Sequence, residues 1–332
     1  MNFLFLSIIK KIEMSFNIRT FILYIHKIFY GANNKHLYKN KNIFLCIVCN
    51  VMSRLCDLAI NLYLNIYSYC GLYPKRLNGN DDIVVSLTSF PKRIGKVWMV
   101  IDSIFHQKVQ PGKICLYLSK EEFPRERQDL PKRLLDYEKL GLNICFREYN
   151  LMPHNKYFYA LQDFSDKCVI TIDDDIYYRN DLINNLLELH RKYPHSICAN
   201  KVCQVSFDEK KKFKPYSQWK ALFYCNTPSL YNVALGYAGV LYPANIFYKK
   251  DVFYKKKIME LALKADDLWL KAHEILQNIE VVAGEYYCIG PSILGAQKVN
   301  LMSTNCNGEN DIQWKKLCEY YRIDESAFEK DV

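Results

Sequence analysis

Cys168-Val169-Ile170-Thr171-Ile172-Asp173-Asp174-Asp175-Ile176-Tyr177-Tyr178 sets a short apolar run, rich in β-branched residues, directly against three consecutive carboxylates. A run of this length without polar alternation reads as a buried parallel strand. In an open α/β sheet the ligand crevice lies outside the carboxyl ends of the strands, where Asp173, Asp174 and Asp175 would emerge. Adjacent acids repel one another and gain nothing from burial, so a divalent cation or a cationic ligand is the usual way to make them tolerable together. Hard oxygen donors point to Mg²⁺ or Mn²⁺. The plainer alternative is a solvated acidic turn in which one Asp caps the following helix.

Outward from that strand, strand and helix patterns alternate. Ile83–Leu87, Ile114–Leu118 and Asn143–Tyr149 read as strands, and Val97–Gln107, Leu134–Leu140 and Lys156–Phe164 as the intervening helices. Asp181–Tyr193 follows as an amphipathic helix and Ser196–Val202 as another strand. Such alternation predicts an α/β fold, a mostly parallel Rossmann-like sheet flanked by helices. The second half is less regular. Leu235-Gly236-Tyr237-Ala238-Gly239-Val240-Leu241-Tyr242-Pro243 reads as a small-residue turn flanked by tyrosines, where backbone can approach a ligand and rings can stack on a sugar face. A basic helix near Phe253–Lys264, the step Ala265-Asp266-Asp267-Leu268-Trp269, a strand at Glu280–Ala283 and a final helix at Asp311–Tyr320 complete the reading.

The composition, 50% hydrophobic and 24% charged over 332 residues, is that of a globular enzyme. Thirteen cysteines are scattered without a disulfide pattern, and no second ligand pair at zinc spacing accompanies Cys46-x-x-Cys49. Reduced thiols in a cytosol are expected. Charge is unevenly placed: residues 1–76 hold ten basic residues against Glu13 and Asp57, a net of +8 out of the chain's +10. The near-neutral remainder speaks against nucleic acid around the acid cluster. The turn Leu77-Asn78-Gly79-Asn80-Asp81 divides a basic, apolar, largely helical extension (1–80) from the main domain (81–332), itself read as a nucleotide-sugar half (81–205) and an acceptor half (206–332). Two expectations for the extension stand side by side: it lies on an anionic membrane surface at the cytoplasmic face, or it packs on the domain.

Three motifs in this order, Val84-Val85-Ser86-Leu87-Thr88-Ser89-Phe90-Pro91-Lys92-Arg93, Thr171–Tyr178 and Gly236–Pro243 followed by Ala265–Trp269, resemble a bacterial glycosyltransferase of the GT-A fold, close to the family 2 group that builds surface polysaccharide or lipooligosaccharide. The resemblance spans roughly residues 82–320. It implies a nucleotide-diphosphate sugar as donor, a glycan or lipid-linked acceptor, and Mn²⁺ or Mg²⁺ held by Asp173 and Asp175. It further implies that Thr88, Ser89, Pro91, Arg93, Lys156, Asp173 and Asp174 meet the donor. Gly236, Tyr237, Gly239 and Trp269 are implied to meet the acceptor. Asp266 and Asp267 resemble the acidic pair that supplies the base in inverting members, with Asp267 as the base. Asn305, Asn307 or Asp311 is a candidate to complete the metal shell. One segment departs from the pattern: Ser119-Lys120-Glu121-Glu122 stands where the family carries an Asp-Asp-Gly-Ser type segment, which puts the usual uracil contacts in doubt.

Two other enzymes place acids after a buried strand. A haloacid dehalogenase-like phosphatase or phosphotransferase continues its Asp-x-Asp with Thr or Val, where this chain has Tyr177. A sugar nucleotidyltransferase wants a glycine-rich loop after its first strand, and Ser86–Arg93 has no glycine.

Overall fold

The computed structural model describes residues 17–34, 43–222, 225–284, 289–296 and 308–331. Two helices, α1 (Ile18–Asn34) and α2 (Ile43–Tyr69), precede the first strand. Then come β1 (Asn80–Thr88), α3 (Val97–Phe105), β2 (Pro111–Ser119), α4 (Lys132–Glu138), β3 (Leu142–Arg147), α5 (Asn155–Phe158), α6 (Ala160–Asp163) and β4 (Cys168–Thr171). The second half carries α7 (Leu182–Lys192), β5 (Ile197–Ala199), β6 (Val202–Gln204), β7 (Lys220–Leu222), β8 (Cys225–Ser229), β9 (Asn232–Ala234), β10 (Val240–Tyr242), α8 (Lys255–Leu261), α9 (Asp266–Gln277), β11 (Val281–Ala283) and α10 (Asn310–Tyr321).

Eight strands form the main sheet in the order β3-β2-β1-β4-β10-β5-β11-β8, and β7-β6-β9 make a small second sheet. The first four are mutually parallel, β5 and β11 are parallel to each other, and β10 and β8 run antiparallel to their neighbours. This is the mostly parallel, helix-flanked α/β architecture expected, with a helical N-terminal extension. Its strands read as unbroken apolar runs because both faces are covered. Ile83, Val85 and Leu87 of β1 enter one core while Val84 enters the other, and β2 divides Ile114, Leu116 and Leu118 from Cys115 and Tyr117 in the same way.

Several boundaries differ from the sequence reading for local reasons. The expected Lys156–Phe164 helix is two single turns, α5 and α6, and the expected Ser196–Val202 strand ends at Ala199 before β6 starts in the other sheet. The turn expected at 235–243 contains β10, whose three residues are too few to show a period. This strand decides the site. Val240 pairs with Thr171 and Tyr242 with Val169, so the antiparallel β10 brings the Gly236–Gly239 turn to the end of β4 where the acids emerge.

Both N-terminal helices join the first core. Ile22 and Leu23 of α1 and Cys56, Ile60 and Leu64 of α2 are buried in the same cluster as α3. That cover explains why α3 is buried at all nine positions, which a surface helix is not. The α1 guanidinium of Arg19 lies 3.3 Å from the fully buried Asp102 carboxylate on α3, which also accepts hydrogen bonds from Tyr137 (2.7 Å) and Tyr177 (3.0 Å). Burial alone would raise the Asp102 pKa, but His106, Arg19 and the Tyr137 hydroxyl outweigh it and hold the carboxyl below the usual range. Breaking such a pair leaves an uncompensated charge. Arg19→Leu is therefore expected to cost about 3–5 kcal/mol in urea unfolding at neutral pH, and a loss under about 1 kcal/mol would mean that α1 is not anchored through this carboxylate.

Candidate active site

One lysine organises the site. Lys156 lies on α5, held there because Ser86 on β1 donates its hydroxyl to the Lys156 carbonyl at 2.5 Å. Its buried ammonium is 2.6 Å from Asp173, just past β4, and 2.9 Å from Asp266, in the first turn of α9. Asp267 is next to it, 3.2 Å and 3.4 Å from the Gly236 N–H that donates to its two oxygens. Burial would release the lysine proton, but the charges of Asp173, Asp266 and Asp267 outweigh that and hold it firmly protonated. The same field separates the two acids of α9. Burial pushes Asp266 up, yet Lys156 and His154 bring it below the usual carboxylate range. Burial and the charge of Asp266 push Asp267 well above that range despite Lys156.

A second cation braces the acid turn from the other side. Arg93, within the turn after β1, is 2.5 Å from Asp174 and 3.1 Å from Asp175. Ser89 donates to the other Asp174 oxygen at 2.6 Å. Asp174, expected to touch the donor, thus has both oxygens committed within the protein and is buried. Arg93, expected to offer its fork to phosphate, is likewise turned onto the acids. For Asp175, burial and the nearby Asp173 charge prevail over Arg93 and push its pKa up to about 7.

The remaining expected residues divide. Thr88 uses its hydroxyl to reach the Tyr117 carbonyl at 2.8 Å, tying the ends of β1 and β2, and Pro91 is exposed at the start of the 91–96 turn. Gly236 faces the centre: a Cβ there would lie 2.9 Å from the Lys156 ammonium and 3.0 Å from Asp267. Gly239 has φ of +90° and a Cβ there would meet Leu182 at 2.7 Å, so glycine is demanded twice over. Tyr237 is half-buried beside them. Trp269 is a correction. It is fully buried, donates its indole N–H to the Val252 carbonyl at 2.9 Å and packs on His273, because it faces away from the site into the core shared with α10; it cannot meet an acceptor. Asp311 accepts the Tyr216 N–H at 2.7 Å, and Asn305 and Asn307 lie outside the described residues. Asp266 does not cap α9, whose N-cap is Ala265.

Tyr178 and Ile293 were not foreseen as parts of the site. The Tyr178 hydroxyl accepts the Asp173 N–H at 2.9 Å and donates to the Tyr237 carbonyl at 3.0 Å, joining the acid turn to the glycine turn. The Ile293 N–H donates to the Asp175 carbonyl and the Tyr177 N–H to that of Pro291, each at 2.8 Å. Only the five-residue offset of Tyr178 from Asp173 lay in the sequence, and a tyrosine after a strand carries no signal of its own.

Among the described residues no three His, Cys, Asp or Glu side chains converge as a metal cage. Asp173 and Asp175 nonetheless fit a divalent ion of the kind that takes one or two carboxylates and completes its shell from phosphates and water. Burial first and the Asp173 charge second raise the Asp175 pKa, and a bound cation would offset both.

No protein-family model matches the sequence, and none of the curated proteins matches it. Similar solved structures include the mannosyltransferase PcManGT from Pyrobaculum calidifontis in complex with GDP-Man and Mn²⁺ (9% identity, 80% of this chain, 73% of that one, TM-score 0.43). They also include S. aureus TarS 1–349 in complex with UDP (14% identity, 62% and 59%, TM-score 0.39) and CMP:2-keto-3-deoxy-manno-octonic acid synthetase complexed with CTP (9% identity, 63% and 92%, TM-score 0.39). At these scores the function has to come from the geometry of the site itself.

Removing the central cation tests that geometry. Lys156→Met leaves Asp266 and Asp173 without their counter-charge, and urea unfolding at neutral pH is expected to show a loss of about 3–5 kcal/mol. Without the ammonium the folded-state pKa of Asp266 rises above its unfolded value, so the variant is favoured at low pH and loses stability as pH climbs through the raised pKa. The deficit should therefore be smaller at pH 5 than at pH 8. An equal deficit at both would show that the lysine acts by packing alone.

Proposed function

We propose that the protein is a glycosyltransferase that moves a sugar from a nucleotide-diphosphate donor to a saccharide or lipid-linked acceptor in surface glycan synthesis, with inversion at the anomeric carbon. One observation carries this reading: a single buried ammonium holds together a carboxylate fit for a metal, Asp173, and an acidic pair, Asp266 and Asp267, whose pKa values are driven apart. Titratable neighbours pushed in opposite directions mark an acid–base assignment.

In this reading Asp267 is the base. It takes the proton of the acceptor hydroxyl while that oxygen forms a bond to the anomeric carbon, and the electron pair of the breaking glycosidic bond leaves with the diphosphate. The Gly236 N–H orients the carboxylate, and the missing side chain at 236 leaves room beside it. Asp266 stays ionised and keeps Lys156 protonated, so the ammonium remains a fixed positive charge between the two carboxylate groups. A divalent ion, when bound, would be held by Asp173 and Asp175 and would supply Lewis-acid stabilisation of the leaving diphosphate. Arg93 and Ser89 position the acid turn through Asp174.

Asp267→Asn is expected to lower kcat by about 10²–10⁴ with metal-dependent nucleotide-diphosphate affinity preserved, since a positioned base contributes that much to the chemical step alone. The assay is a panel of nucleotide sugars followed by product NMR. Release of pyrophosphate from a nucleoside triphosphate instead would make the chain a nucleotidyltransferase, and an α-linked product from an α-linked donor would remove the base role from Asp267.

The Asp175 carboxyl gives a separate prediction. A group titrating near 7 must lose its proton before it can ligate a cation, so apparent Mn²⁺ affinity should rise about tenfold per unit as pH goes from 5.5 toward 7, then level off. Calorimetry on the native protein and on Asp175→Asn checks this, and a flat native profile would take Asp175 out of the metal shell.

A further inference from the structure

Helix α2 is long and apolar enough to cross a membrane by length and composition. One of its faces is fully employed inside the protein. Asp57 accepts the Ser292 N–H at 2.9 Å, and Asn61 donates to the Ser292 carbonyl at 2.9 Å and accepts the Leu294 N–H at 3.0 Å. Between these polar contacts Cys56, Ile60 and Leu64 enter the first core.

The opposite face has no partner among the described residues. Ile47, Val51, Leu55, Leu58, Leu62 and Ile66 are between 39% and 59% exposed, and they recur at steps of four, four, three, four and four residues. An eleven-residue period of this kind keeps a stripe straight along a helix, here for roughly 28 Å. Phe44 and Tyr69, each 74% exposed, close its two ends, and α1 adds Phe21, Tyr24 and Ile28 to the exposed apolar side chains. A solvated helix face is normally charged. Here Arg54 is the one charged residue among the exposed positions described on α2.

We infer that α2 seats this stripe in the headgroup and upper acyl region of an anionic membrane, lying in the plane of the bilayer with the catalytic domain still attached to its other face. Charge selects lipid over a second copy of the chain. Residues 1–76 carry ten basic side chains, nine of them besides the Arg19 buried on Asp102, and their only acids are Glu13 and Asp57, the latter buried against Ser292. Two such surfaces repel one another, whereas an anionic leaflet attracts each basic residue near it. Contacts on the far side of the helix choose surface over span. To cross the bilayer, α2 would have to surrender its bonds to 292–294 and place the Asp57 carboxylate in hydrocarbon. The inference goes beyond the transferase reading and does not depend on it.

The full-length protein is to be sedimented with vesicles of phosphatidylglycerol and phosphatidylcholine, and with phosphatidylcholine alone, at low and high salt. Binding is expected only with the anionic vesicles, weakening with salt and released by alkaline carbonate. The double variant Leu58→Glu, Leu62→Glu alters positions already in solvent, so its thermal midpoint should match the native one while its vesicle affinity falls at least about tenfold. A variant that folds and binds as well as the native chain overturns the inference. Carbonate-resistant native protein overturns the in-plane seat in favour of a span. A native dimer that ignores vesicles and becomes monomeric in the double variant gives the stripe to a second copy.

Discussion

The structure depends on a charge that has nowhere else to go. Lys156 is buried, so its ammonium can exist only if carboxylates surround it, and the carboxylates near it can stay ionised only because it does. Asp173 comes from the 81–205 half of the main domain and Asp266 from the 206–332 half. Their mutual need for one cation fixes how the halves meet, and the backbone follows: Ser86 holds the lysine's carbonyl, and the Gly236 turn closes on the acids because a side chain there would strike both ammonium and carboxylate.

The same turn of acids is braced from behind by the N-terminal helices. Asp57 and Asn61 of α2 hold residues 292–294, whose Ile293 N–H in turn holds the Asp175 carbonyl. Arg179, just past the acid turn, donates to the Leu23 carbonyl of α1 at 3.1 Å, and Tyr177 reaches Asp102 beside Arg19. The extension is thus structurally continuous with the site through two short relays of hydrogen bonds. Its outward apolar face and its inward polar face serve different neighbours.

Every acid in the triplet has its own electrostatic role. Asp174 pairs with Arg93, accepts the Ser89 hydroxyl and orients the turn. Asp173 shares Lys156 with Asp266, and at Asp175 burial and the Asp173 charge outweigh Arg93, which is why its pKa is pushed to about 7. Three like charges in sequence are tolerated because Asp173 turns to Lys156 while Asp174 and Asp175 share Arg93, a separation that the strand-to-turn geometry provides by sending successive side chains in different directions.

The sequence by itself determined the α/β class, since continuous apolar strands alternating with helices admit few other arrangements. It also located the acids after β4 and the acidic pair that opens α9, because an abrupt change from apolar to carboxylate is a local property of the chain. Only tertiary structure decided what those acids do. Asp174 and Arg93 look like donor contacts in sequence and turn out to hold each other, and Trp269 looks like an acceptor contact and is core, because the direction a helix presents to its neighbours is not written in its own residues. The antiparallel run of β10, three residues long and without a readable period, is what brings Gly236 to Asp267 and Tyr237 to Tyr178. Pairing across 70 residues is set by how two cores fill on both faces of the sheet, and no local pattern encodes it.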